Sequence, residues 1–229
     1  IRGLRFVRMN PPNNKEEALP KEERLPLGVS TQRSSSKPQT LPDWEQKNIQ
    51  SRGNIKRQED RSAGRSAAYQ LLKRHGLPLQ IINDNKGKPI LPQNPEIDIS
   101  ITHHNGVGTA ALSFEGLVGI DEEQIEKRNS AFMEQWFTEN ECIIAHNSPT
   151  SQTIIWTIKE AISKALGLGL ALNTKDIEVL QIHPNFCTIK LHNQVKVLID
   201  AKELETHWKK SNNRIIAIAK ISPRKQKSA

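Results

Sequence analysis

Residues 153–169, TIIWTIKEAISKALGLG, repeat their apolar side chains with the spacing of an amphipathic helix. The predicted buried stripe of this helix consists of Ile155, Ile158, Ile162, Ala165 and Leu166. Glu160 and Lys164 lie four residues apart on another side, so their side chains stand one helical turn from each other. An exposed pair of this kind contributes only ~0.3–0.5 kcal/mol and is common on helices. The helix therefore predicts a functional site only if other segments of the chain place interacting groups next to Glu160 and Lys164.

The composition limits the possible classes of partner. The chain of 229 residues has 35 % hydrophobic residues, a mean hydropathy of −0.60 and a formal net charge of +8. A basic chain attracts nucleic acids, anionic membranes, acidic proteins or phosphorylated ligands. Aromatic residues make up only 4 % and there is no recognisable nucleic-acid motif, so we expect no nucleic-acid partner. No apolar run approaches the ~20 residues that span a bilayer, so we expect no membrane association.

The two cysteines, Cys142 and Cys187, indicate the redox environment of the protein. They have no CxxC spacing, which argues against a disulfide framework and fits a reducing compartment. We therefore expect a cytoplasmic protein. The chain begins with Ile, and its opening is rich in proline and serine. We expect it to be a monomer or the C-terminal part of a larger multidomain chain.

The organisation of the chain changes near residue 55. Residues 1–54 hold six of the thirteen prolines and a serine-rich run, which predicts a linker or a poorly ordered N-terminal segment. From residue 56 the apolar spacing predicts a helix that Gly76 ends. The last residues, 223–229, are polar and should form a frayed tail.

The remaining segments predict mostly strands. Alternating or β-branched runs lie at residues 79–82, 97–104, 108–114, 116–121, 177–182, 186–192, 195–199 and 214–221. Thr138 and Glu141 have capping-box spacing at the start of a further helix. His192 and Asn193 suit a hairpin turn. The order of helix, strands, helices and strands indicates an α+β domain with antiparallel sheets.

Two carboxylates close the strand predicted at residues 116–121. Asp121 and Glu123 are two residues apart, so in extended chain they point to one face. Two carboxylates on one face repel each other unless a cation lies between them, and hard oxygen ligands of this kind suit Mg²⁺. The alternative, which the pair alone does not exclude, is that Asp121 caps a turn. Glu122 should point the other way, into solvent.

A histidine pair follows a strand in the motif SITHH, residues 100–104. His103 and His104 face opposite sides of a strand, and no other His or Cys stands at zinc-like spacing, so we expect no zinc site. One inward histidine beside Thr102 could instead donate a hydrogen bond to a phosphate. The run GVGTAA is followed by a strand and not by a helix, which excludes a dinucleotide-binding loop.

These motifs occur in an order that resembles a known family. GKP at residues 87–89, SITHH, VGIDEE at 118–123 and WTIKEAISKALGLGL at 156–170 resemble the 4′-phosphopantetheinyl transferase superfamily, in its surfactin- and enterobactin-type branch. The resemblance covers about residues 55 to 182. It implies two pseudo-related α/β halves with antiparallel sheets, about 55–113 and 114–222, of which the first looks truncated or divergent.

The resemblance also implies an activity. Such enzymes transfer the phosphopantetheine arm of coenzyme A to a serine of an acyl or peptidyl carrier protein. It places Asp121, Glu123 and Glu160 around Mg²⁺, with Mn²⁺ as the alternative. Asp121, Glu160 and Lys164 would be catalytic, with Glu160 as the general base and Lys164 at the departing oxygen. The residues implied to bind coenzyme A are Arg57, Arg65, Lys88, Thr102, His103, Lys159 and Lys164.

Departures from the family pattern leave other functions open. His104 stands where the family usually has serine, and Glu122 stands where an apolar or small residue is common. One alternative is a non-catalytic basic module that binds an acidic carrier domain. A nucleic-acid-binding domain is the other, which only the net charge favours.

Overall fold

The computed structural model describes residues 29–35, 41–51 and 53–223. The N-terminal elements are β1 (Val29–Ser35), α1 (Asp43–Gln50), α2 (Ile55–Arg74), β2 (Ile82–Asn83), β3 (Pro89–Ile90), β4 (Asp98–His104) and β5 (Val107–Ser113). The C-terminal elements are β6 (Leu117–Gln124), α3 (Ser130–Trp136), α4 (Glu139–Ala145), α5 (Pro149–Leu166), β7 (Ile177–Ile182), β8 (Cys187–Leu191), α6 (Asn193–Ile199), β9 (Lys202–Ser211) and β10 (Arg214–Pro223). All strand pairs are antiparallel, which confirms the predicted α+β class.

The first sheet has the strand order β1-β5-β4 and is covered by α2. The side chain of Asn54 caps the start of α2, and Gly76 follows its end with a φ of +64°. The buried face of α2 is made of small and aliphatic residues, including Ala67, Leu71 and Leu72, which pack on Ile99 and Leu112 of the sheet. The predicted helix and the role of Gly76 at its end are confirmed.

The second sheet has the strand order β6-β10-β9 and is covered by α5. Ser148 caps α5, Pro149 occupies its first turn, and Gly167 ends it in the left-handed conformation. Ile155, Ile158, Ile162 and Ala165 are buried, as the stripe predicts, whereas Leu166 is only partly buried. The predicted capping box of Thr138 and Glu141 is also present, at the start of α4.

Side chains of β4 join the two sheets. Asp98 Oδ2 accepts a hydrogen bond of 2.7 Å from the amide of Val118, and Ser100 Oγ accepts one of 3.0 Å from the amide of Ile120. Thr102 Oγ1 donates to Asp121 Oδ1 at 2.9 Å. Alternate residues of β4 therefore satisfy polar groups along β6, because side chains two apart share one face of a strand.

Part of the predicted N-terminal linker is regular structure. Residues 29–35 pair with β5 over their whole length, and residues 43–50 form α1. The prediction was wrong here because β1 is polar in composition, while its side chains are buried with polar partners: Ser30 Oγ lies 2.9 Å from Nε2 of His75. The predicted linker over residues 1–28 and the predicted tail over residues 224–229 lie outside the described residues.

The prediction for residues 192–199 was also wrong. We expected a hairpin turn and a strand, but residues 193–199 form α6, with His192 at its N-cap. Val195 and Ile199 are buried and lie four residues apart, which is the helical spacing that the β-branched composition conceals. Strand β9, which was not predicted, pairs with β10 over its whole length.

Glycine allows each helix to lie close to its sheet, and this generates a stability prediction. A Cβ on Gly119 of β6 would lie 1.8 Å from the carbonyl oxygen of Ala161 in α5. Because that atom is backbone, Gly119→Ala should reduce the free energy of unfolding by about 2–4 kcal/mol, measured by urea denaturation.

The matched control is Gly64→Ala in α2. Its Cβ would meet a side-chain methyl of Ile101 at 2.9 Å, which can move, so we expect a much smaller loss of stability. Equal losses for the two variants would contradict the close approach of α5 to β6.

Candidate functional site

Asp121 is the buried centre of the candidate site. It lies on β6 and is 3 % exposed. Its Oδ1 accepts hydrogen bonds from Thr102 at 2.9 Å and from the Lys164 ammonium at 2.6 Å. Its Oδ2 is buried and makes no hydrogen bond within the described residues. The carboxylate therefore has one free buried oxygen, which can accept a proton donor or a cation.

The two other predicted metal ligands are electrostatically coupled to Asp121. Burial, with the charge of Asp121 as the second cause, raises the pKa of Glu123 to about 7. Burial and the charge of Asp121 also raise the pKa of Glu160. The structure thus brings Glu123 and Glu160 near Asp121. Among the residues described, no three acidic, His or Cys side chains converge in an arrangement that could hold a metal ion, and Lys164 contacts Asp121 instead.

Glu122, between the two acidic residues, is not solvated as predicted. It is 3 % exposed and pairs with Arg33 of β1, whose Nη2 lies 2.6 Å from Glu122 Oε1. Thr109 donates to its Oε2 at 2.5 Å, and Nη1 of Arg214 lies 3.5 Å from Oε1. The prediction failed because Arg33 lies in the segment that we took for a linker. The alternation of side chains along β6 separates this ion pair from Asp121 and Glu123.

A cavity of about 470 Å³ opens between α1, α2 and the β2–β3 hairpin. Its lining is Trp44, Glu45, Asn48, Ile49, Arg61, Arg65, Ile81, Ile82, Asn83, Gly87, Pro89, Ile101 and His103. Arg65 and His103 were predicted to bind the nucleotide. Burial, and next the charge of Lys164, lower the pKa of His103. His103 therefore lines the cavity and also interacts electrostatically with the lysine that contacts Asp121.

Arg61 is the cavity residue that the sequence analysis missed. It lies midway between Arg57 and Arg65 on α2, at spacings of four residues, and this spacing was the signal that could have identified it. Arg57 is exposed in the first turn of the helix and does not line the cavity. Arg61 and Arg65 therefore supply the positive charge of the cavity wall.

Two of the lysines predicted to bind phosphate, Lys159 and Lys88, form ion pairs within the fold instead. Lys159 is 0 % exposed, with Nζ 2.5 Å from Glu141 Oε2 and hydrogen-bonded to the carbonyls of Trp136 and Thr174. It holds α4 and the loop after α5, so the prediction that it binds coenzyme A was wrong. Lys88 Nζ donates to Asp98 at 2.9 Å and to the carbonyl of Ala165 at 3.1 Å. In this structure it links the two halves instead of lining the cavity.

Thr102 and Arg128 complete the surroundings of Asp121 and Glu123. The Thr102 hydroxyl is buried and committed to Asp121, so it positions that carboxylate. Arg128, which was not predicted, has Nη2 at 3.7 Å from Glu123 Oε2 and its guanidinium over the ring of Phe132 at 4.9 Å. It partly offsets the charge of Glu123.

The two halves match known protein families separately. Residues 117–219 match the 4′-phosphopantetheinyl transferase superfamily, and residues 44–113 match the 4′-phosphopantetheinyl transferase N-terminal domain. A holo-[acyl-carrier-protein] synthase of Alkaliphilus oremlandii is 34 % identical over 98 residues, which are 38 % of this chain and 80 % of that protein. The chain belongs to the 4′-phosphopantetheinyl transferase superfamily.

Two further proteins also match part of the chain. The fatty acid synthase subunit alpha of Aspergillus oryzae is 35 % identical over 99 residues, but the chain spans only 6 % of that protein. A solved Helicobacter pylori holo-[acyl-carrier-protein] synthase, in complex with coenzyme A, matches 46 % of this chain and 100 % of its own, with 23 % identity and a TM-score of 0.42. No helix in the described part of this chain is both long and apolar enough to cross a membrane.

The buried pair of Lys159 and Glu141 yields a prediction about stability. Lys159→Met leaves the Glu141 carboxylate buried without its cation, which should reduce the free energy of unfolding by about 3–5 kcal/mol. Lys175→Met, at an exposed lysine that donates to the carbonyl of Glu134, should cost much less. Urea denaturation of both variants checks this. Native stability of the Lys159 variant would contradict the structural role assigned to this lysine.

The raised pKa of Glu123 predicts that stability depends on pH. The folded state holds a proton on Glu123 up to a pH of about 7, whereas the unfolded state releases it near 4.5, so stability falls as the pH rises through this window. Glu123→Gln should therefore stabilise the protein by roughly 1–3 kcal/mol at pH 8 and by less at pH 5. The measurement is urea denaturation in EDTA at both pH values.

The control for this prediction is Glu126→Gln. Glu126 belongs to the same segment but is 56 % exposed, so its substitution should change stability little at either pH. A Glu123 variant that gains no stability at pH 8 would contradict the electrostatic cost assigned to that carboxylate.

Proposed function

We propose that this chain transfers the 4′-phosphopantetheine arm of coenzyme A to a serine of an acyl or peptidyl carrier protein. The observation that carries the proposal is the electrostatic link between a cationic cavity and a buried acidic site, which runs through His103 and Lys164. His103 lines the cavity, Lys164 lies close enough to lower the pKa of His103, and Lys164 also contacts Asp121. A nucleotide in the cavity would therefore extend its pyrophosphate towards Asp121. Membership of the superfamily supports the same reaction.

The composition of the cavity wall fits a phosphorylated nucleotide. Trp44, Ile81, Ile82 and Pro89 provide apolar and aromatic surface for a base, and Trp44 is 47 % exposed and available for stacking. Arg61 and Arg65 are the groups for the 3′-phosphate, since guanidinium groups match phosphate geometry. His103 is the group for the pyrophosphate, at the side of the cavity nearer to Lys164.

Asp121, Glu123 and Glu160 are the residues that would hold Mg²⁺, once Lys164 leaves Asp121 and the three carboxylates, which do not form a metal site in the described structure, close on the ion. The donor set suits this ion, because Asp121 has a buried oxygen without a partner and raises the pKa of both neighbouring glutamates. A bound cation would remove that repulsion. When bound, Mg²⁺ supplies charge neutralisation to phosphate oxygens. Mn²⁺ prefers the same oxygen ligands and is the alternative.

The roles of the side chains follow from their surroundings. Glu160 has a raised pKa, so its carboxylate is basic enough to take the proton of the carrier serine. The serine oxygen bonds to the pantetheine-side phosphorus as the bond to the nucleotide oxygen breaks, and adenosine 3′,5′-bisphosphate leaves. Lys164, which is partly exposed beside Asp121, stabilises the charge on the departing oxygen.

We also propose that the chain belongs to the surfactin- and enterobactin-type branch. One chain contains both an N-terminal segment and a C-terminal segment of the superfamily, with halves at about 55–113 and 114–222, and β1 and α1 added to the first half. The match within a fatty acid synthase subunit supports a place in a larger synthase. The two free thiols fit the cytoplasm.

A non-catalytic module that binds an acidic carrier domain is the second candidate. The contact of Lys164 with Asp121 favours it, because the lysine occupies an oxygen that a metal ion would need. The cavity and the free oxygen of Asp121 favour the transferase. The two candidates differ in whether a carrier protein gains mass.

The test incubates the protein with coenzyme A, Mg²⁺ and several apo carrier proteins, and weighs each carrier by mass spectrometry. We expect the mass of one phosphopantetheine to be added, EDTA to stop transfer and Mg²⁺ to restore it. Asp121→Asn and Glu160→Gln should each lower the rate by about 10²-fold or more, since they remove charge from the reacting centre.

The matched control is Glu134→Gln, which changes an exposed glutamate of α3 and should leave the rate unchanged. If no carrier gains mass, the transferase proposal is wrong and the binding module remains. Full activity of the Asp121 variant would instead refute the assignment of the site.

A further inference from the structure

A buried carboxylate, Glu45, lies in the wall of the cationic cavity. It is 1 % exposed, and it lines the cavity together with Arg61 and Arg65. A carboxylate opposes the binding of an anion in the same place. It also loses hydration when it is buried, and that loss must be offset by close partners. Both facts require a role for Glu45 other than direct contact with a phosphate.

The two oxygens of Glu45 hold two residues of α2. Oε1 lies 3.2 Å from Nε of Arg65, and Oε2 accepts a hydrogen bond of 3.0 Å from the hydroxyl of Tyr69. Burial, and then the charge of Glu45, raise the pKa of Tyr69, so the hydroxyl keeps its proton and remains a donor. Glu45 therefore fixes α1 against α2 at the position of Arg65.

Arg65 has a second anchor on a different element. Its Nη2 donates to Oδ1 of Asn83 in β2 at 2.6 Å. The guanidinium is planar, so contacts at two of its three nitrogens fix its orientation. Its Nη1 is buried and has no hydrogen-bond partner among the described residues, so a phosphate that enters the cavity must displace neighbouring atoms to reach this donor. The arginine is thus oriented before any ligand binds.

We infer that Glu45 is a positioning residue that orients Arg65 towards the 3′-phosphate of coenzyme A and so sets the preference for coenzyme A over dephospho-coenzyme A. The inference rests on the proposed function. An arginine that is already oriented loses less side-chain entropy when it binds a phosphate. Dephospho-coenzyme A lacks only the 3′-phosphate, so the orientation of Arg65 has no effect on its binding.

The test compares the KM values of coenzyme A and dephospho-coenzyme A for Glu45→Gln, which keeps the size of the side chain and removes its charge. We expect the KM of coenzyme A to rise about tenfold, the effect of weakening one charged hydrogen bond. The KM of dephospho-coenzyme A should stay within about twofold. Arg65→Ala should reduce the preference for coenzyme A to the part that Arg61 supplies, and adding Glu45→Gln to Arg65→Ala should change the ratio of the two KM values no further.

The control is Glu59→Gln, which removes an exposed carboxylate from α2, the helix of Arg65, and should leave the ratio of the two KM values unchanged. An equal rise with both substrates shows a purely structural role and overturns the inference. A lower KM for coenzyme A shows that Glu45 only neutralises Arg65, and this also overturns it. The inference is also overturned if Glu45→Gln still changes the ratio of the two KM values in the Arg65→Ala variant.

A further variant keeps the test decisive if Glu45→Gln does not fold. Tyr69→Phe removes only the hydroxyl that donates to Glu45 Oε2. It should raise the ratio of the KM of coenzyme A to the KM of dephospho-coenzyme A by about two- to threefold, because the Glu45 carboxylate loses one of its two partners. An unchanged ratio overturns the inference. If Arg65→Ala discriminates between the substrates as strongly as the native protein does, the inference fails while transfer, and hence the proposed function, stands. Absence of transfer by the native protein from either substrate refutes both.

Discussion

The structure depends on the hydrogen bonds by which side chains of β4 join the two sheets. Both strands at this junction are sheet edges, and edge strands leave backbone amides without a ladder partner. Asp98 and Ser100 accept from amides of β6, and Thr102 binds the carboxylate of Asp121. The other face of β4 carries Ile99 and Ile101, which pack in the core of the first half. One alternating strand therefore builds a core and also positions a residue of the site in the other half.

The three lysines that the sequence analysis assigned to coenzyme A have contrasting roles. Lys88 is tied to Asp98 and to the end of α5, and Lys159 is tied to Glu141, so both stabilise the fold. Only Lys164 of these three is both partly exposed and in contact with Asp121. A lysine can contact a phosphate only if its ammonium group reaches the ligand, and burial decides this more strongly than spacing along the helix. The basic charge of the chain is thus divided between structural ion pairs and the candidate site.

The acidic site is a place where the structure concentrates unfavourable electrostatics. Asp121 raises the pKa of both Glu123 and Glu160, while Arg128 and Lys164 partly offset the repulsion. Glu122 points to the other face of β6, where Arg33 balances its charge. The strand therefore separates a satisfied carboxylate, which fixes β1 to β6, from carboxylates whose charge remains available for a cation or a proton.

The resemblance to the superfamily implied that the Asp121 segment meets the Glu160 helix. The sequence by itself determined the helices of strong periodicity and the α+β class. These depend on short-range spacing, which the order of residues records directly. It could not reveal that Arg33 and Glu45 leave the apparent linker to pair with residues in other elements, because polar composition does not distinguish a solvated segment from a buried strand with polar partners. Nor could it assign Lys159 to the core, or place Arg61 and Trp44 in the cavity wall. Only the tertiary structure decided these points, because the partners that neutralise a charge lie far away in sequence and become neighbours only when the two halves pack.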